Sequence, residues 1–229
     1  MTGLINIASK YKILLLNGLE ITLIVSFATI FLGLILGTLM SFAKMSKIKI
    51  LKALASIYVE FIRGTPVLVQ IFIVFYGLPM MGISIPTVRI GDVDISRLIS
   101  GILALTINTT AYVCEIVRGG IQSVELGQTE GAKALGMNPI KTMYYIILPQ
   151  AFKNILPSLG NEFITIIKTS SQISVIGIAD LMYTADTIRG ISFKPMAPLI
   201  LVALIYFVVT YCFSLILKRV EKRLARSNR

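Results

Sequence analysis

Histidine is absent from this chain, and cysteine is nearly so, with Cys114 and Cys212 its two representatives. A His/Cys metal site and histidine-based proton transfer are thereby all but excluded. The two cysteines lie far apart in apolar surroundings, so no disulfide framework is available. Both read as small apolar packing residues. Charge is also scarce. Only 14% of the 229 residues are charged, against roughly 25% in a soluble domain. No phosphate-cradling G-x-x-x-x-G-K-[ST] run occurs, so the chain has no ATP site of that type. No serine elbow accompanies it either, which makes an embedded enzyme a remote prospect. The N-terminus lacks the basic region, short apolar stretch and small-residue site of a cleavable leader, and none is expected.

What fills the sequence is apolar: 55% of residues are hydrophobic and the mean hydropathy is +0.84. Several runs approach the ~20 apolar residues that cross a bilayer. Five spans are predicted at about 21–43, 55–78, 98–118, 155–177 and 197–217. The expected class is an all-α integral membrane protein with one membrane domain over 21–218. An amphipathic segment precedes it at 1–20, and a basic tail follows at 219–229. The first and fifth spans are unbroken and uncharged between their ends, as lipid-facing walls should be. Gly33 and Gly37 form a small-xxx-small pair in the first, which predicts close helix packing.

Basic residues set an expected orientation. Lys44, Lys47, Lys49 and Lys52 occupy the 44–52 loop without an acid. The tail carries Lys218, Arg219, Lys222, Arg223, Arg226 and Arg229 against Glu221. The 79–97 loop is balanced (Arg89 and Arg97, Asp92 and Asp94), and so is the 178–196 loop (Asp180 and Asp186, Arg189 and Lys194). The positive-inside rule then puts the N-terminus outside, with 119–144 and the C-terminus in the cytoplasm. Lys10 and Lys12 dissent, and a surface helix at the headgroups would accommodate them. The +11 net charge is a topology signal. No aromatic or basic stripe marks a nucleic-acid footprint.

The informative residues are those lipid would reject. Span two holds Glu60, Arg63 and Gln70; span three holds Asn108, Tyr112, Glu115 and Arg118; span four holds Asn161, Glu162 and Lys168. A charge at the bilayer centre costs from a few to over ~10 kcal/mol, so each should face a cavity, a partner or the water boundary. Glu60 and Arg63, like Glu115 and Arg118, are spaced to pair on one helix face. Glu115–Arg118 reads equally as a structural pair near a span end; Glu60 and Glu162 read as facing a polar cavity. Gly64-Thr65-Pro66 should break span two, and Pro157 with Gly160 should break span four. Broken spans of this kind present bare amides and carbonyls to a solute.

Residues 130–149, EGAKALGMNPIKTMYYIILP, add a specific motif. They resemble the EAA loop of ABC-importer permeases, with Glu130, Ala132, Gly136, Ile146, Leu148 and Pro149 at its places. Gly131 stands where that pattern has alanine, which should loosen a short helix by up to ~1 kcal/mol. NGLEITLIVS, EFIRGTPVLVQ and LPQAFKNILPSLGNEFITIIKTSS resemble the polar-amino-acid branch of the same family. The resemblance implies a type I permease of five spans in a prokaryotic cell membrane, paired with a second permease subunit, expected to be identical. It implies two cytoplasmic ABC ATPases that hold ATP and Mg, an extracellular solute-binding protein and an amino-acid substrate. This chain itself would bind no cofactor and no metal and would have no catalytic residue. The short helix of the 125–140 loop, with Glu130, Gly131, Ala132, Lys133, Leu135, Gly136 and Met137, would couple to the ATPase.

The expected substrate site gathers Glu60, Gly64, Thr65, Gln70, Tyr112, Glu115, Asn161, Glu162, Ser170 and Ser171. Glu60 and Glu162 suit a cationic side chain, while amides near Gly64 and the serine hydroxyls suit a carboxylate. A basic amino acid such as arginine, lysine or histidine is therefore expected, with glutamine or glutamate as runner-up. An ion-coupled carrier or channel is the other class, and it leaves the polar loop helix unexplained.

Overall fold

The computed structural model describes residues 2–83, 89–90 and 93–226. The side chains of Arg89, Asp92 and Asp94, and of Arg226 and Arg229 in the tail, lie outside the described residues. Among the described residues ten α-helices follow in order: α1 Thr2–Lys10, α2 Lys12–Lys44, α3 Lys49–Arg63, α4 Val67–Met80, α5 Ile95–Gln122, α6 Leu126–Ala134, α7 Pro139–Thr142, α8 Leu148–Thr169, α9 Leu181–Ser192 and α10 Ala197–Arg226. A π turn, Met143–Ile147, leads into α8, and a 3-10 turn, Ser170–Ile176, leaves it. A two-residue antiparallel ladder pairs Arg89–Ile90 with Val93–Asp94.

Three helices, α2, α5 and α10, are each long and apolar enough to cross a membrane, and bent pairs bring the possible spans to 5. The central one is α5, which packs against α2, α3, α4 and α8. Small residues let it do so. Gly33 of α2 lies against Thr109 and Gly37 against Val113, with no room for a Cβ at either place. The small-xxx-small pair therefore marks a real close approach. The buried hydroxyls of α2 bond back along their own helix: Thr22 Oγ1 donates to the Gly18 carbonyl at 2.9 Å and Ser26 Oγ to that of Thr22 at 2.7 Å. Polar side chains thus enter a membrane-grade helix without exposing a donor to lipid. By contrast, α10 buries little of itself and presents apolar side chains outward.

Three sequence expectations change. First, the amphipathic N-terminal helix ends at Lys10, and α2 starts at Lys12 rather than near residue 21. Ile7 of α1 is buried in a cluster with Leu181, Ile188 and Val202, so α1 is anchored to α9 and α10. Second, the break expected at Gly64-Thr65-Pro66 is there but is more than a kink: the chain turns by 110° between α3 and α4. Third, Pro157 does not break α8, which runs unbroken to Thr169. The break comes after it, in the 3-10 turn, where Gly177 adopts φ +78, a conformation suited to glycine. Asp180 then caps α9 by accepting from Tyr183 N at 2.8 Å, and the Thr22 hydroxyl accepts from Leu181 N at 3.1 Å, docking α9 on α2.

Candidate functional site

The turn between α3 and α4 is built by Gln70. Pro66 cannot donate to the helix before it, and Gly64 N closes α3 on the Glu60 carbonyl at 2.9 Å, so α3 stops there. The Gln70 amide then fills the gap. Its Nε2 donates to the Ile62 carbonyl at 2.8 Å and to Thr65 Oγ1 at 2.8 Å. Its Oε1 accepts from Asn108 Nδ2 of α5 at 2.9 Å. Thr65 Oγ1 donates in turn to the Phe61 carbonyl at 2.9 Å. Gln70 is 5% exposed, so the geometry gives it and Thr65 a structural task, holding a bend, where the sequence suggested solute contacts.

Glu115 is the hub of a charge cluster. Oε1 accepts from Lys44 Nζ at 2.8 Å, and Oε2 from Arg118 Nη2 at 2.6 Å. Arg63 Nη1 lies 3.9 Å from Oε2 and its guanidinium stands over the Tyr112 ring, 5.6 Å from the centroid. Glu60 meets Lys44 at 3.6 Å. Among the described residues Arg63 thus pairs with Glu115 and not with Glu60, its expected neighbour. The side chains of Lys44 and Glu115 are 13% and 17% exposed, whereas that of Glu60 is 73% exposed. The sharp turn explains this last figure: it carries α3 out of the line of α4, so Glu60 lies beside the ends of α2 and α5. Its carboxylate is exposed there.

The fourth span brings polar groups together differently. Asn154, Ser158, Asn161, Thr165 and Lys168 recur at intervals of four and three residues along α8, and all five are exposed. Residues so spaced form one stripe. Another side of α8 is apolar and packed: Phe163 meets Phe27 of α2 at a tilt and Phe213 of α10 edge-on, with centroids 4.8 and 5.0 Å away, and Gly160 admits Leu217. Glu162 flanks the stripe, half-buried, and has no ion-pair partner among the described residues. Asn161 Nδ2 donates to the Pro157 carbonyl at 3.1 Å, one turn back along its own helix. Beyond α8, Ser171 Oγ donates to the Lys168 carbonyl at 2.7 Å near the surface. Ser170 is 0% exposed and donates to the Ile167 carbonyl at 2.8 Å, facing the interior. Ser158 and Thr165 escaped the sequence reading. Their signal was the three-four spacing with Asn161 and Lys168.

The loop helix α6 projects at the end of the bundle where Lys44, Glu115 and Arg118 gather. It closes with a Schellman motif: Gly136 at φ +75 donates to the Lys133 carbonyl at 2.9 Å and Met137 N to that of Ala132 at 3.0 Å, the pattern glycine permits at this place. Asn138 does more than stop α6; its Oδ1 accepts from Lys141 N at 2.8 Å and starts α7. Ala132 is buried, while Glu130, Gly131, Lys133 and Leu135 are exposed. Leu126 and Leu135, at the two ends of α6, and Ile140 of α7 are exposed apolar side chains. Pro149 has no amide to extend the ladder backward, and the backbone widens into the π turn just before α8.

The structure is a bundle of membrane-grade helices with an exposed polar stripe along α8 and an exposed loop helix at one end. The family described as "Binding-protein-dependent transport system inner membrane component" matches residues 23–226, and the chain belongs to that family. It is an ABC transporter permease, a class in which a separate subunit hydrolyses ATP and a second permease completes the pathway. The arginine transport system permease protein ArtQ of Bacillus subtilis (strain 168) is 39% identical over 210 residues, covering 92% of each chain. The probable glutamine ABC transporter permease protein GlnM of the same organism is 37% identical over 212 residues, 93% of this chain and 94% of that one. A crystal structure of an amino acid ABC transporter with histidines superposes with a TM-score of 0.87 at 45% identity, covering 94% of this chain and 96% of the other. Inward-facing MetNI, a methionine ABC transporter, shares the fold at TM-score 0.73 and 18% identity, covering 94% and 98%.

Proposed function

We propose that this permease moves a polar amino acid, most favourably a basic one, across a bacterial cytoplasmic membrane by alternating access. The observation that carries the proposal is the α8 stripe, Asn154 through Lys168, with Glu162 beside it. A polar row on a membrane helix is costly against lipid and marks a solute path or a partner. A second copy facing this stripe would enclose such a path. Glu162 offers a carboxylate to a cationic side chain; Asn161 and Ser171 offer hydrogen bonds to the amino-acid head. Glu60, at the water boundary, would lie at the mouth of the path, and the Gly64 turn and Tyr112 would border it. Relatives named for arginine and for glutamine transport agree with a polar amino acid.

In the same proposal α6 enters a groove of a cytoplasmic ATPase, one on each permease copy, and ATP with Mg is held there. An extracellular binding protein delivers the solute, and the N-terminus lies outside with the C-terminus in the cytoplasm. Glutamine or glutamate is the second reading. It is favoured by Lys168, a cation on the same stripe, and by the glutamine-named relatives.

The test is solute-stimulated ATPase activity of the reconstituted complex against a panel of amino acids. Glu162→Gln should cut stimulation by arginine at least ~10-fold while leaving basal hydrolysis intact, the size expected for losing one charge-assisted contact. Unchanged arginine stimulation in that variant would remove Glu162 from the site. Stimulation by glutamine alone would favour the second reading.

A further inference from the structure

Helix α3 has three sides, and only one of them is used by the fold. Ala55, Tyr58, Val59 and Ile62 pack on α5, with Tyr58 Oη donating to the Ile107 carbonyl at 2.7 Å. A second side, Ile50, Leu54, Ile57 and Phe61, is apolar and exposed along the whole helix; its intervals of four, three and four residues make it one continuous stripe. A third side is polar, with Lys49, Lys52 and Ser56, and Lys47 just ahead of the helix is exposed as well. Between residues 44 and 59 there is no acid. Lys44 turns inward to Glu115 and Glu60, but Lys47, Lys49 and Lys52 have no ion-pair partner among the described residues.

The direction of α3 gives these sides a meaning. The 110° turn sets it slightly past perpendicular to α4. If α4 runs along the membrane normal, α3 lies close to the membrane plane, with Glu60 and Arg63 at its C-terminal end beside Lys44 at the end of α2 and Glu115 of α5. An apolar side and a lysine side on one in-plane helix is the pattern of a helix lying at the headgroups.

We infer that α3 is an interfacial helix that binds anionic phospholipid, with Ile50, Leu54, Ile57 and Phe61 in the acyl chains and Lys47, Lys49 and Lys52 on the phosphate. Charge selects this occupant. A second copy of the chain applied through the same face about a two-fold axis would bring these lysines together, whereas an anionic leaflet neutralises them, at about 1 kcal/mol per lysine near the surface. The inference needs membrane insertion and no assumption about the cargo, so it stands apart from the proposed transport activity.

The chain contains no tryptophan, so Ile57→Trp provides a single fluorescent reporter on the apolar stripe. The full-length variant is placed in phosphatidylcholine nanodiscs containing brominated phosphatidylglycerol or brominated phosphatidylcholine. Both lipids should quench the reporter. The anionic one should do so at roughly fivefold lower mole fraction, the enrichment of one lysine–phosphate contact. In the Lys47→Gln, Lys49→Gln, Lys52→Gln background that advantage should vanish while quenching by the neutral lipid stays. Absence of quenching by either lipid would mean that protein covers the stripe, and the inference fails. Equal quenching by both lipids in the native-lysine chain would also overturn it, without recourse to the triple variant. So would an anionic preference that survives the loss of the lysines.

Discussion

Lys44 Nζ at the end of α2 lies 2.8 Å from Glu115 Oε1 near the end of α5, and both side chains are largely buried. The pair joins two helices 71 residues apart in sequence, and Arg118 and Arg63 complete the shell around the same carboxylate. Glu115→Gln removes the carboxylate that Lys44, Arg63 and Arg118 share. It should lower stability by about 2–4 kcal/mol, as breaking a partly buried pair does. Lys44→Gln should cost less, because Arg118 still satisfies Glu115. Thermal unfolding of the two single variants and the double in detergent measures the coupling. A Glu115→Gln protein of unchanged stability but weakened solute response would instead put Glu115 in the substrate site.

Gln70 gives a second test. Gln70→Leu keeps the volume roughly but takes the donor from the Ile62 carbonyl and the acceptor from the Asn108 amide. Leaving such buried groups unpaired costs about 1–3 kcal/mol each before relaxation. The melting temperature should fall, and limited proteolysis should open at residues 64–66. A variant that melts normally and loses only solute affinity would show that Gln70 contacts the cargo.

The loop helix can be tuned in both directions. Gly131 has open space around its Cβ position and an ordinary backbone, so Gly131→Ala should stabilise α6 by up to ~1 kcal/mol. Gly136 sits at φ +75, and Gly136→Ala should destabilise the cap by about 1 kcal/mol. Hydrogen exchange of the 126–137 amides reads both. Slower exchange in the alanine-131 variant and faster exchange in the alanine-136 variant are the expected outcomes.

Gly37 tests the central packing. A Cβ there would meet Val113 at 2.6 Å and the Thr110 carbonyl oxygen at 3.0 Å. Backbone cannot yield as a flexible side chain can, so Gly37→Leu should separate α2 from α5 and cost about 1–3 kcal/mol. The loss of folded protein on size-exclusion chromatography measures it. Gly119→Ala, at an open position of α5, should be tolerated and serves as the control.

Much of this was legible in the sequence for physical reasons. Apolar length and loop lysines marked the walls α2 and α10. Gly33 and Gly37 announced a close approach because only a missing side chain permits one. Gly136 and Asn138 declared the ends of the loop helices. The second span was harder. Its apolar run continues from α3 into α4, and hydropathy cannot see a 110° turn that depends on Gln70 reaching back eight residues to the Ile62 carbonyl. The exposed position of Glu60 beside Lys44 follows from that turn. Pro157 misled in the opposite sense, because α8 runs on through it to Thr169. The α8 stripe was half visible. Asn161 and Glu162 stood out as membrane misfits, while Ser158 and Thr165 gained meaning only from their shared side.

The central claim is that this chain opens a path for a polar amino acid at the expense of ATP hydrolysed by a partner docked on α6. The direct measurement is uptake of labelled arginine into proteoliposomes holding the permease and its ATPase, with ATP or a non-hydrolysable analogue at the α6 face. Uptake should require hydrolysable ATP and should collapse when Leu135→Asp disrupts the apolar surface of the loop helix, with the permease itself still folded. Uptake that proceeds with the analogue, or that persists in the Leu135→Asp complex, would contradict the account.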